Sequence, residues 1–482
     1  MERLAALMLA LWMAGAMLCA PAAAADGNTV RRALLIGCDA FLTHENTAPS
    51  ARLNVERMAR ALASDARGYA AVRQETDGLS SLQDLQSAIG NAFAGADGDD
   101  VSLVYLCTHG LYDRISYAPL LVLSDGTREE SLTAPALKEA LDAVPGRKIL
   151  ILDACNSGAF IGKGARGEGT QNLFAGDDYL VLTSAGALEN SFLWHDRQLA
   201  GGSYFAQELC DGLLGGGFDL DADGVVTLAE ARQGLLECHG ASTAQSYPQF
   251  SDAPLYVRPQ TPPENDAPLT DVVLDTASLS PGEDTLYFSF TVRRTVRVQY
   301  QIIYYRGGQW RFDAPQTVED QENSRGGLTP GRKQRAVTLT AEESAPTGYA
   351  LLQIVAQEDS GAVLAGSRLI AVQPESGDPG LELWCSESAR PTRGEEVCAY
   401  VRHAFPCRLT VRVLDESGAA VRRLAYKTSS RPVGERQDGS YFYWDGRLED
   451  GTAAPPGLYA LEVTCAVGGQ TYRLTGSPVR IE

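Results

Sequence analysis

The fold class that the sequence predicts is an α/β domain, with a mainly parallel sheet flanked by helices, followed by two all-β sandwich domains. Three observations carry it. Across residues 29–257 short apolar runs alternate with amphipathic segments, the pattern of consecutive βαβ units. Beyond a Pro-rich stretch at 261–266 the helical period is lost, and residues 271–373 alternate with period two. After a second linker at 374–379, residues 380–482 combine short apolar strands with many Gly and Pro turns. At 482 residues the chain exceeds what a single core supports. The domain limits read as 1–25 for a leader, 26–260 for the α/β domain, then 268–375 and 380–482 for the β-domains.

The leader comes first. Arg3 precedes an apolar core over 4–18, and Ala23-Ala24-Ala25 offers small residues for cleavage. That core is shorter than the ~20 residues of a membrane span. The expectation is a cleaved signal peptide and a secreted or cell-surface protein with no span in the mature chain. Ten cysteines, less Cys19 in the leader, leave an odd number in a disulfide-permissive compartment. A net charge of −20 offers no basic stripe for nucleic acid.

Within the α/β domain the first strand is 33–37, followed by a helix over 51–62 in which Leu53, Met58 and Leu62 recur at helical spacing. A weaker strand (70–74), a helix (82–92) and a buried strand (101–106) come next. That strand runs into Cys107-Thr108-His109-Gly110. A helix over 135–144 precedes the apolar run Ile149-Leu150-Ile151-Leu152, which stops in Asp153-Ala154-Cys155-Asn156-Ser157-Gly158. A strand at 179–184, helices at 203–214 and 228–238 and a short strand at 254–257 complete the domain. In open parallel sheets chemistry sits beyond the carboxyl ends of the strands, which is where His109 and Cys155 fall. An imidazole next to a thiol can take or stabilise its proton, and the N–H groups of Gly110 and Cys155 are candidate oxyanion donors.

These residues resemble the caspase–legumain clan of cysteine peptidases. A strand ending in His-Gly precedes by about 50 residues a strand ending in the nucleophile, and Asp-Ala-Cys-Asn-Ser-Gly is closest to the metacaspase-like bacterial branch. The resemblance covers about 31–257. It implies a caspase-like fold, a Cys155–His109 dyad, and a peptide or protein substrate with no organic cofactor. It also implies an S1 pocket containing Asp153 that receives Arg or Lys, and a strand ending in Ser184 that helps bind substrate backbone. A second pocket acid of those relatives falls on Asn54, and Asp39 is a candidate replacement. Asparagine-directed cleavage, as in the legumain branch, is one alternative, and a non-catalytic surface binding protein is another. The Gly-rich segment 160–176, with Lys163 and Arg166, reads as an exposed loop open to self-cleavage.

Residues 219–230 fit an EF-hand calcium loop position by position, with Asp219, Asp221, Asp223, Val225, Thr227 and Glu230 as ligands and Gly224 at the turn. Ca2+ is the expected ion, in a structural role. Cys210 and Cys238 flank this loop and are candidates for a disulfide. Cys385, Cys398, Cys407 and Cys465 allow two more, in three possible pairings. The last domain, with Trp444-Asp445-Gly446 and Pro456-Gly457-Leu458-Tyr459, resembles the Ig-like fold of flagellar hook-capping proteins. Tyr300, Tyr304, Tyr305 and Trp310 read as core more readily than as a binding face. Spacing or contact with a cell-surface or matrix partner is the role expected of the tails.

Overall fold

A computed structural model describes residues 29–482, apart from 114–115, 117, 165–171, 197–198, 239–241, 262–266, 276–277, 280–284, 307–308, 341–347, 360, 373–376, 405–406, 431, 434–436, 439 and 468. The segment read as a signal peptide, Arg166, most of the first linker and half of the second lie outside the described residues.

The α/β domain is organised on a six-stranded sheet. Its strands are β1 (Arg31–Gly37), β2 (Ala71–Glu75), β3 (Val101–Cys107), β4 (Arg147–Asp153), β5 (Tyr179–Thr183) and β6 (Gln245–Tyr247), in the order β6-β5-β4-β3-β1-β2. All pairings are parallel except the antiparallel edge strand β6. Its helices are α1 (Ser50–Ala63), α2 (Leu82–Ala92), α3 (Ala134–Asp142), α4 (Tyr204–Gly215) and α5 (Leu228–Cys238).

The central strands are apolar throughout because both faces are covered. Leu35, Tyr105, Ile151 and Leu182 pack under α1, α4 and α5, while Ile36, Leu106, Leu152 and Val181 pack on the side of α2 and α3. Successive side chains point to opposite faces, so a strand buried twice must read as a continuous run. Three features differ from the sequence reading. The segment after Tyr179–Thr183 contributes β6, which is short and polar and so carries little pattern. Pro254–Val257 pairs instead with Val225–Thr227, outside the main sheet. A three-stranded antiparallel sheet (Gly110–Asp113, Ala118–Ser124, Glu129–Thr133) also stands where the sequence showed no strands.

Two all-β domains follow, each with a three-stranded and a six-stranded sheet around its own core, the second of the two also carrying a two-stranded hairpin at Pro432–Val433 and Gln437–Asp438. Tyr300 and Tyr304 are buried, the first against Asp320 and the second against Gln316, so they serve the core as expected.

Both β-domains pack on the α/β domain. Trp194 and Tyr204 share an apolar cluster with Ile303, Leu351 and Leu364 of the second domain. The Tyr204 hydroxyl donates to Gln353 Oε1, and Glu208 accepts from the Ser367 N–H (2.9 Å) and hydroxyl (2.8 Å). The third domain reaches the segment beyond Cys155. There Tyr443 OH meets the Gly164 N–H at 2.7 Å, and the ammonium of Lys163 lies 3.1 Å from Glu396. The tails are therefore structural walls of the α/β domain, which period-two patterning does not disclose.

Candidate active site

Parallel pairing of β3 with β4 sets Cys107 opposite Asp153. Two residues beyond each lie His109 and Cys155, so register alone brings both to one level at the carboxyl edge of the sheet. The turn after β4 closes through Asn156, which adopts a left-handed conformation (φ 57°). Asparagine is one of few residues that tolerate it. Its N–H donates to the Glu189 carbonyl at 2.8 Å and its Nδ2 to the Ala187 carbonyl at 2.9 Å.

Gly110 is required by close approach. A Cβ there would fall 1.8 Å from the carbonyl oxygen of Cys155. The His-Gly pair thus allows the two turns beyond β3 and β4 to touch. The Val122 N–H donates to the His109 carbonyl at 3.0 Å, and Gly110 faces Leu121 in the hairpin. In an antiparallel pair hydrogen-bonded and non-hydrogen-bonded positions alternate, so the Gly110 N–H turns away from the hairpin partner.

His109 is half-buried, with Phe41 at 4.5 Å between ring centroids and His44 at 5.6 Å. Its Nε2 lies 2.7 Å from the carbonyl oxygen of Glu45. A carbonyl only accepts, so Nε2 carries a proton, and in the neutral form of the ring Nδ1 is the unprotonated nitrogen. Cys155 is also half-buried and its Sγ is 3.5 Å from the Ser191 carbonyl. Burial raises the thiol pKa above its ordinary value, and the charges of Asp153 and Glu189 add to the effect. The resting sulfur is a thiol. Among the described residues the Cys155 N–H has no hydrogen-bond acceptor.

Asp153 is buried in a cage of hydroxyls. Its Oδ2 accepts from Tyr105 (2.9 Å) and Ser203 (2.5 Å), and its Oδ1 from Ser191 (3.3 Å). Burial pushes its pKa up, against the pull of these donors. No Lys or Arg bridges to Asp153 among the described residues. Ser203 also caps α4 by accepting the Ala206 N–H at 2.9 Å. Its hydroxyl therefore joins a helix start to the floor of the site. Tyr105, Ser191 and Ser203 escaped the sequence reading. Ser203 was visible only as the first residue of the helix, and nothing in the sequence marks a contact with Asp153.

Three residues read as substrate-binding are engaged in the fold. The carboxylate of Asp39 accepts the N–H groups of Ala51 (2.8 Å) and Arg52 (3.0 Å), supplying the cap that Pro49 cannot give α1. This replaces the pocket role expected for it. Asn54 is fully buried, its Oδ1 accepting the Ser203 N–H (3.0 Å) and its Nδ2 facing Cys107 Sγ (3.4 Å). It shares Ser203 with Asp153 and so supports the pocket from behind. Ser184 is buried beneath the nucleophile turn, accepting the Ala154 N–H (3.1 Å) and donating to the Ala154 carbonyl (3.2 Å). It fixes the Asp153–Cys155 backbone and is not placed to touch substrate.

Lys163 is 1% exposed, with its ammonium donating to the Ser246 carbonyl at 2.7 Å and paired with Glu396. An exposed cleavage loop was expected here. The third domain covers that residue instead, and Arg166 lies outside the described residues.

In the acidic loop, carboxylate oxygens of Asp219, Asp221 and Asp223 lie within 4.8 Å of one another. Gly224 turns with φ +86°. Glu230 folds back on the loop, accepting the N–H groups of Leu220 and Thr227, each at 2.9 Å, and the Thr227 hydroxyl at 2.8 Å. Val225 begins the short strand that follows. Asp219 also pairs with Arg258 at 3.1 Å. Cys210 and Cys238 are both thiols. Cys238 donates to the Gly234 carbonyl one turn back in its own helix, in place of the bond expected to Cys210.

Residues 30–255 match the family model described as "Caspase domain". No curated protein matches the chain. Among solved structures, caspase-1 from Spodoptera frugiperda is 17% identical, over 46% of this chain and 84% of that one, with a TM-score of 0.31. Dimeric latent PorU from Porphyromonas gingivalis is 12% identical, with a TM-score of 0.20. That match covers 53% of this chain and 23% of PorU, so the chain spans under a quarter of that protein.

Proposed function

We propose that the chain is a secreted cysteine endopeptidase of the caspase type, with Cys155 as nucleophile and His109 as acid/base. The observation that carries this is the 2.7 Å contact between His109 Nε2 and the Glu45 carbonyl. With Nε2–H held by the Glu45 carbonyl, Nδ1 is free to receive a proton at the sheet edge that also bears Cys155. Because the thiol is protonated at rest, general-base help is needed at the moment of attack. The Sγ–H proton passes to Nδ1 as Sγ bonds to the scissile carbonyl carbon. The carbonyl oxygen becomes an oxyanion, for which the N–H groups of Cys155 and Gly110 are the available donors. The imidazolium returns its proton to the leaving amine as the C–N bond breaks. Water then hydrolyses the thioester by the same route.

Arg or Lys is the proposed residue on the acyl side. Asp153 is a buried carboxylate with no cationic partner among the described residues, and a substrate cation would supply one. We also propose that Ca2+ occupies the 219–230 loop, supported by the three clustered carboxylates and the left-handed turn at Gly224. There it would brace α4 against α5.

The test is covalent labelling by peptide electrophiles carrying Arg, Lys or Asn, with Ca2+ and a reductant present. Labelling of Cys155 by the Arg and Lys probes, lost in Cys155→Ala and in His109→Ala, is expected. Reaction with the Asn probe alone would remove the role given to Asp153, and silence with every probe would favour a binding protein. For the metal, Ca2+ should raise the melting temperature of the wild type and not that of Asp221→Asn/Asp223→Asn.

A further inference from the structure

The segment that orients His109 is closed at its ends by the Phe41 N–H on Asn46 Oδ1 (2.7 Å) and the Thr47 N–H on the Asp39 carbonyl (2.9 Å). Residues 42–46 are at the surface, Leu42 is 56% exposed, and only Phe41 anchors the start in the core. The middle of the segment is gathered by one further side chain. The carboxylate of Glu129, on the strand Glu129–Thr133, accepts the N–H groups of Leu42 (2.7 Å) and Thr43 (3.2 Å). It also accepts the Thr43 hydroxyl and Nδ1–H of His44 (3.0 Å). Its side chain is 10% exposed, so these four donors stand in for water. They draw its pKa down to about 2, with Thr43 the largest contributor. The next residue, Glu45, presents the carbonyl to His109, and the ring of His44 stands 5.6 Å from that of His109.

We infer that Glu129 is a positioning residue for the catalytic imidazole, holding residues 42–45 so that the Glu45 carbonyl fixes His109 in its Nε2–H form. The inference rests on the Cys155–His109 reading above. A carboxylate suits the task because it is acceptor-only and can serve four donors at once. Glutamine in its place has one acceptor oxygen, and its NH2 group meets donors that it cannot satisfy. His109 loses its fixed carbonyl, Nδ1 is protonated part of the time, and the base is withdrawn without any change to the substrate pocket.

The experiment compares wild type, Glu129→Gln, Thr43→Val and His109→Ala by two readouts that need no substrate. These are the ring 15N shifts of His109 and the rate of Cys155 alkylation by iodoacetamide across pH. Glu129→Gln is expected to mix the two tautomers and slow alkylation at pH 7 by about 10- to 100-fold, with the melting temperature near that of wild type. With an active substrate, kcat falls and KM stays. Thr43→Val, which removes one donor, shows the same change in smaller degree and decides the matter if Glu129→Gln does not fold. Wild-type ring shifts and alkylation rates in both variants would overturn the inference. The dyad reading fails separately, if His109→Ala alkylates as the wild type does, and the ring shifts still judge Glu129.

Discussion

Removing Glu396 tests how the third domain is fastened. Lys163 is 1% exposed, and its ammonium has the Glu396 carboxylate at 3.1 Å, the Ser246 carbonyl at 2.7 Å and the Tyr443 ring at 5.0 Å. Burial drives both members of the pair toward their neutral forms, lowering the Lys163 pKa and raising that of Glu396. Desolvation thus outweighs mutual attraction, and the intact pair contributes little net stability. Breaking it is another matter. In Glu396→Ala the cation of Lys163 stays buried beside that of Arg232, whose pKa burial lowers to about 10. The expected loss is about 3–5 kcal/mol. The folded pKa of Lys163 lies below its unfolded value, so the unfolded state binds more protons between the two. The variant should therefore regain stability as pH rises through that window. Urea unfolding followed by tryptophan fluorescence measures the loss, and Lys163→Met/Glu396→Leu should recover most of it. A loss under ~1 kcal/mol, the range of an exposed ion pair, would refute the reasoning and mean that water reaches Lys163.

Three further outcomes concern the nucleophile turn. Ser184→Ala leaves the buried Ala154 N–H without its partner, so a loss of about 1–3 kcal/mol and slower Cys155 labelling are expected; unchanged labelling would deny Ser184 its positioning role. Gly110→Ala puts a methyl into the Cys155 carbonyl, and labelling should vanish while the far-UV spectrum is retained. In His109→Ala, alkylation of Cys155 should keep rising with pH beyond the ordinary thiol range, because burial raises the pKa of that sulfur. A plateau near neutral pH would point to a resting thiolate.

The parts that could be read from the sequence are those where local pattern and tertiary demand coincide. The continuous apolar runs of β3 and β4 mark strands buried on both faces, and their abrupt ends locate His109 and Cys155. Asn156 and Gly110 follow from turn geometry and close approach. What escaped is fixed by partners far along the chain. Asp39 resembles a pocket acid until the uncapped start of α1 claims it, and Ser184 a substrate contact until the Ala154 backbone does. Lys163 in a Gly-rich stretch resembles an exposed loop, and partners far along the chain, Ser246, Glu396 and Tyr443, make it interior. The His109 ring is held by a backbone carbonyl, which every residue possesses and no sequence pattern marks.

The contacts of the two tails have an evolutionary consequence. Gln353 joins Gln301 to Tyr204, whose neighbour Ser203 holds Asp153, while Glu396 and Tyr443 hold the segment beyond Cys155. A tail exchanged for one from another lineage would bring the wrong acceptor to Tyr204 or leave Lys163 stranded. The three domains therefore cannot be shuffled as independent cassettes. Descent should preserve them as a single unit, with substitutions on the facing surfaces occurring in compensating pairs.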